Sequence, residues 1–122
     1  MSDLFCQTPD STVYRLVDDE LVLIQLDTGY IYYFNAGAKS LLDFFRAPKR
    51  LTSFWDVSGL DDERADDRKY LAEFCDFLIQ NKILKTATVA VETSDDTKVT
   101  YAKPVFLRKA EKTLDEVSFL SP

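Results

Sequence analysis

The groups that could do chemistry in this chain are few. They are two cysteines, Cys6 and Cys75, a turn Asp27-Thr28-Gly29, and an acidic cluster of Asp61, Asp62, Glu63, Asp66 and Asp67. A nucleophile needs an adjacent base, and the 122 residues contain no histidine, the side chain that most often serves as general base, zinc ligand and pH switch. The cysteines are too far apart in sequence for metal-ligand spacing. Cys75 falls among apolar residues and reads as a small core residue, whereas Cys6 reads as part of a loose N-terminal arm. Asp-Thr-Gly is the catalytic turn of aspartic proteases, but here it joins two short strands and is better read as a hairpin. The acids around position 62 suit a solvated, dipole-matched helix start, with Arg64, Arg68 and Lys69 interspersed. No glycine-rich phosphate loop is present. On these observations an enzyme is the function least expected, and neither a metal nor a cofactor is implied.

Composition narrows the partners. The formal charge is −6 and the pI about 4.6, which opposes non-specific binding to nucleic acid, because that requires several cations to displace counterions. No apolar run reaches membrane-spanning length, so no membrane association is expected. The start "MSDLFCQTPD" lacks a basic region followed by an apolar stretch. The chain reads as cytoplasmic, with one domain and an appendage: an arm over 1–11, a domain over 12–92, and a linker and tail over 93–122.

The elements follow from patterning. "VYRLV" (13–17), "LVLIQL" (21–26) and "YIYYF" (30–34) form a three-strand antiparallel meander. Its turns are Asp18-Asp19-Glu20 and Asp27-Thr28-Gly29, with Gly29 free to take positive φ. Asn35 is suited to cap a helix over 36–47, whose stripe is Ala38, Leu41, Leu42 and Phe45 and whose end is Pro48. A connecting helix lies within 50–60, with Leu51, Phe54, Trp55 and Val57 inward. A longer helix spans 62–82, with Leu71, Phe74, Cys75 and Leu78 in one stripe and Tyr70, Phe77 and Ile79 widening it. Residues 83–92 allow one further strand, and 93–98 read as a polar linker.

The third strand is the unusual element. As an edge of the meander it carries none of the lysines, prolines or bulges that normally guard an edge. Such an edge is a template for an added strand, with backbone bonds giving affinity and side-chain pockets giving specificity. Alternation puts Tyr30, Tyr32 and Phe34 on one face and Ile31 and Tyr33 on the other. One set is expected to pack on the helices and the other to line a groove.

The run "LVLIQLDTGYIYYFNAGAKSLLDFF" resembles the PqqD-like family, also called RiPP recognition elements. Those domains show an apolar strand, a short turn with Gly, an aromatic strand ending in Leu-Asn (here Phe34-Asn35), and a helix of small and apolar residues. The later "YLAEFCDFLIQNKIL" is similar to the family's second signature, with Asn81-Lys82-Ile83-Leu84 in place of its Gly-Leu exit. The likeness spans residues 12–86. It implies an α+β fold, a winged helix-turn-helix with a three-stranded antiparallel sheet packed on three helices. It also implies a non-catalytic, cofactor-free chaperone that binds the leader of a ribosomally made precursor peptide and presents it to a peptide-modifying enzyme. In the family the leader adds beside the third strand and is clamped by the last helix. That makes Tyr30 to Phe34 candidates on the strand and Arg68, Tyr70, Phe74 and Phe77 candidates on the helix, with Arg68 pairing an acidic leader side chain.

The C-terminal tail adds to this. Tyr101-Ala-Lys-Pro104 followed by apolar residues resembles leader segments recognised by such domains in lasso-peptide pathways, and Val105, Phe106 and Leu107 suit an added strand, since Pro104 at its start costs no ladder bond. Residues 98–112 hold five basic residues against Glu111, a net of +4 that leaves −10 elsewhere in the total of −6. Such a segment is drawn to its own domain or to a neighbour's. Three placements stay open: the tail in its own groove, exchanged with a second copy to make a homodimer, or gripping a partner enzyme. Thr113-Leu-Asp-Glu116 has capping-box spacing. The alternative functions are a regulatory or structural subunit whose tail docks in its own or a partner's groove, and, ranked lower because the long helix is acidic, a winged-helix transcription regulator.

Overall fold

The computed structural model describes residues 5–87 and 98–111. The chain is α+β. Its first expectation, the meander, forms as β2 (Thr12–Val17), β3 (Glu20–Gln25) and β4 (Tyr30–Asn35), paired antiparallel in sequence order. Asp18 and Asp19 both take positive φ, 51° and 65°, the geometry of a two-residue turn that matches strand twist and that short polar side chains tolerate. The second turn closes with Gly29 at φ 81° and its N–H donating to the Gln25 carbonyl at 2.8 Å.

The three α-helices of the described residues follow the meander: α1 (Ala38–Phe44), α2 (Leu51–Ser58) and α3 (Ala65–Gln80). The α1 stripe of Ala38, Leu41, Leu42 and Phe45 is buried, although the helix is shorter than 36–47. On α2, Phe54 and Val57 are buried, while Leu51 and Trp55 pack partly buried against the same core. A 3-10 turn (Asp62–Arg64) leads into α3, with the Asp61 carboxylate accepting from the Glu63 N–H. Leu71, Phe74, Cys75 and Leu78 are buried, with Tyr70, Phe77 and Ile79 at their margins. They meet Leu21, Leu23, Tyr32 and Phe34 from the sheet in one cluster. Each fully buried large side chain there contributes about 1.5–3 kcal/mol. Among the described residues no helix is long and apolar enough to cross a membrane.

The sheet departs from the expected three strands. A fourth strand, β7 (Phe106–Glu111), pairs antiparallel with β4, giving the order β2-β3-β4-β7. A second sheet, in the order β5-β1-β6, joins Phe5–Gln7 (β1) to Lys49–Arg50 (β5) and Lys85–Ala87 (β6). Cys6 is therefore not in a loose arm; it sits in β1, between two strands, and is buried. Residues 88–92 of the further strand, positions 93–97 of the linker and the capping box at 113–116 lie outside the described residues.

The exit from α3 has its own signature. Lys82 holds φ 61°, its N–H donates to the Ile79 carbonyl at 3.0 Å, and the Ile83 N–H donates to Leu78 at 2.8 Å. This is a Schellman motif with lysine at the position that glycine usually fills. Because the left-handed conformation is costly for a residue with a Cβ, Lys82→Gly is expected to raise stability by up to about 1 kcal/mol, as read by urea denaturation.

Candidate peptide-binding groove

The groove is built from β4 on one side and α3 on the other. Side chains of a strand alternate, so Tyr30, Tyr32 and Phe34 turn towards the helices. Helical spacing brings Tyr70, Phe74 and Phe77 to the facing side. Phe34 meets Phe74 edge-on at 5.9 Å between ring centroids, and Tyr70 stacks on Phe74 at 6.0 Å. Into this furrow β7 inserts Phe106, 5.7 Å from Phe34, 5.0 Å from Phe77 and 6.4 Å from Tyr32. These separations are typical of favourable aromatic pairs. The same face of β4 thus packs on the helices and lines the groove, where the two roles were expected on opposite faces. Ile31 and Tyr33 lie on the outer face, in a smaller cluster with Val22 and Ile24.

Asn35 holds the backbone of the tail by three hydrogen bonds. Asn35 N–H donates to the Val105 carbonyl at 3.0 Å. The Asn35 side chain adds two bonds: its Nδ2 donates to the Lys103 carbonyl at 2.7 Å, and its Oδ1 accepts from the Val105 N–H at 2.8 Å. Asn35 therefore does not cap α1; Gly37 occupies the cap position and no side chain closes it. An amide side chain carries a donor and an acceptor, so it can pair both with an extended backbone as another strand would. Across the groove, the Tyr70 hydroxyl donates to the carbonyl of buried Pro104. Desolvation raises the Tyr70 pKa, in keeping with a phenol that donates.

Close approach at the turn into α1 depends on a missing side chain. A Cβ on Gly37 would lie 2.9 Å from the Ala102 carbonyl oxygen and 3.0 Å from that of Lys103. The φ of Gly37 is −61°, which suits any residue, so its absent Cβ serves the approach of the tail and not the turn. Gly37→Ala is expected to weaken tail docking by about 1–3 kcal/mol, the usual cost of overpacking, while leaving the helices intact. Hydrogen exchange at β7 against far-UV circular dichroism separates the two effects.

The tail residues take distinct places. Tyr101 packs partly buried against the core, with the Arg64 guanidinium 5.5 Å from its ring centre. Val105 and Leu107 are exposed; Leu107 sits in the register shift between the Phe34–Phe106 and Tyr33–Arg108 pairs, so Phe106 alone of the expected apolar trio anchors the strand. Arg68 does not face the groove. Its Nε donates to the Leu60 carbonyl at 2.9 Å, its Nη1 pairs with Asp62 at 2.9 Å, and its guanidinium lies 4.8 Å from the Trp55 ring centre. It ties the start of α3 to α2, in place of the expected pairing with an acidic leader residue.

Asn35 and Gly37 are the groove residues that sequence reasoning missed. The signal for Asn35 was an amide directly after an unguarded aromatic edge, which capping chemistry explained equally well.

The acids at the start of α3 are engaged locally, Asp61 in capping, Asp62 with Arg68 and Asp67 with Arg64. Among the described residues no group of three or more acids or cysteines is placed to hold a metal. Burial first, then the nearby Cys6 and Asp76, raises the Cys75 thiol far above its ordinary value, in keeping with a core residue. What the arrangement is equipped to do is hold an extended backbone. No protein-family model matches the chain, and no curated protein or solved structure matches it either.

Proposed function

We propose that this chain is a non-catalytic peptide chaperone. It binds the leader of a ribosomally made precursor peptide as a strand added to β4 and presents it to an enzyme that modifies the peptide elsewhere. The observation that carries this reading is β7 itself: an extended segment, distant in sequence, added in antiparallel register to the aromatic edge of β4. Backbone pairing supplies affinity in such recognition, and the pocket for Phe106 supplies specificity. The order of three antiparallel strands followed by three helices supports a winged helix-turn-helix arrangement of the kind that the PqqD-like resemblance implies. The acidic start of α3 disfavours the transcription-regulator alternative.

A second reading is favoured by the same strand. Because β7 belongs to the chain that it completes, this reading has the groove filled permanently, as in a regulatory or structural subunit. The two readings differ in whether a leader replaces the tail. Fluorescence anisotropy with labelled candidate leader peptides distinguishes them. Saturable binding to the full chain, strengthened by a substitution that releases β7, supports the chaperone. Absence of binding even to the released chain leaves the tail as the groove's own occupant.

A further inference from the structure

Every basic residue of the described tail has a seat on the domain. Lys98 Nζ donates to the Asp56 carbonyl at 3.3 Å, and Lys103 Nζ lies 4.4 Å from the centre of the Tyr70 ring. Arg108 lies on the outer face of the sheet, its guanidinium 3.9 Å from the Tyr33 ring centre. From there it reaches diagonally across β4 to Glu20, forming two bonds of 3.0 and 3.3 Å to the carboxylate. Lys109, one residue on, turns to the inner face and places its ammonium 3.9 Å from the Tyr30 ring centre and 5.4 Å from that of Tyr32. Two consecutive cations are thus read on opposite faces of one strand, by three of the tyrosines of the edge and one carboxylate. Ring faces attract cations through their quadrupole and give nothing to an anion in the same place.

We propose that the β4 edge selects its ligand by charge as well as by its aromatic anchor. The ligand class it fits is an extended peptide with an aromatic residue, one bulged residue, and then two consecutive basic residues. The first cation is read by Tyr33 and Glu20, the second by Tyr30 and Tyr32. This inference rests on the reading that the edge accepts peptides. It names Glu20 and Tyr33, which lie outside the aromatic furrow, as specificity-determining residues. The opposite charges of tail and domain would draw a basic peptide to many surfaces, whereas the two seats require the cations at fixed positions after the anchor.

The test uses the full chain carrying Arg108→Glu and Lys109→Glu. These are exposed positions, and reversing them is expected to speed hydrogen exchange across β7 by roughly tenfold or more. A fluorescein-labelled synthetic peptide of residues 98–111 in the native sequence then binds this chain, as read by anisotropy. The same peptide with both charges reversed binds roughly tenfold or more weakly, and the gap shrinks at high salt because exposed pairs are screened. Adding Glu20→Lys to the chain narrows the preference. Unchanged exchange at β7 would overturn the inference, and so would equal binding of the native, reversed and composition-matched scrambled peptides. If β7 is released and no peptide binds at all, the underlying peptide-binding reading fails, and the inference with it. Equal binding of native and reversed peptides that is lost on scrambling refutes only the charge selection.

Discussion

Phe34→Ala is expected to be the most damaging single truncation in the sheet, lowering stability by about 3–5 kcal/mol, the range found when a fully buried phenylalanine is removed. Phe34 is 0% exposed, stacks with Tyr32 at 6.4 Å and meets Phe74 and Phe106 edge-on. It therefore joins sheet, long helix and tail at one point. Total stabilities of small domains are about 5–15 kcal/mol, so a loss of this size takes a large share. Chemical denaturation followed by circular dichroism measures it. A loss below about 1 kcal/mol would mean that the cluster repacks around the cavity.

Phe106→Asp is expected to act differently, by detaching β7 while the domain stays folded. The substitution removes the ring that touches Phe34, Phe77 and Tyr32 and asks a carboxylate to enter the same furrow. Burying an unpaired charge costs far more than exposing it, so the strand leaves the groove. Protection of the β7 amides should fall to that of an open segment, and the backbone groups along β4 should become available. Helical content should be unchanged, because α1, α2 and α3 stay packed in one cluster with Leu21 and Leu23 through Leu41, Leu42, Phe54, Val57, Leu71 and Leu78. Global unfolding on this substitution would instead make β7 an obligatory part of the core.

The meander and the helices were legible because their signals are local. Period-two alternation in 21–26 and 30–34, and three- and four-residue spacing in α1 and α3, arise within each element. The buried stripe of α3 was read residue by residue. Topology beyond the neighbouring strand was less legible. That β4 lacked an edge guard was visible, and the net charge of the tail pointed to docking, but the register of Tyr33 with Arg108 depends on a shift near Leu107 that no local pattern encodes. The strand around Cys6 was missed for the same reason, since three residues of β1 carry no detectable period and their partners, Lys49–Arg50 and Lys85–Ala87, are remote in sequence. Arg68 was misplaced because a helix presents several faces, and spacing alone does not say which one looks onto Asp62 and Trp55 and which onto the groove.

Asn35 shows how one residue type supports two local readings. Before a helix, an amide is a good cap; at the end of an edge strand, it is a good backbone mimic. The tail decides between them, by offering the Lys103 carbonyl and the Val105 N–H at 2.7 and 2.8 Å. Once these groups are paired, the edge left facing outward is β7, which carries Arg108 and Lys109 and is preceded by Pro104. Charges and proline are the usual guards of a terminal strand, so the protection that β4 lacks is supplied by the strand that covers it.

As a peptide-binding surface, the β4 edge accepts an extended peptide as an added strand. A titration of the isotopically labelled Phe106→Asp chain with an unlabelled peptide of residues 98–111, followed by NMR, reports on this binding. Saturable shifts are expected at the backbone and side-chain amides of Asn35 and at the rings of Phe34 and Phe77, together with restored exchange protection along β4. A folded chain whose Asn35 and β4 signals do not move at any peptide concentration would contradict it.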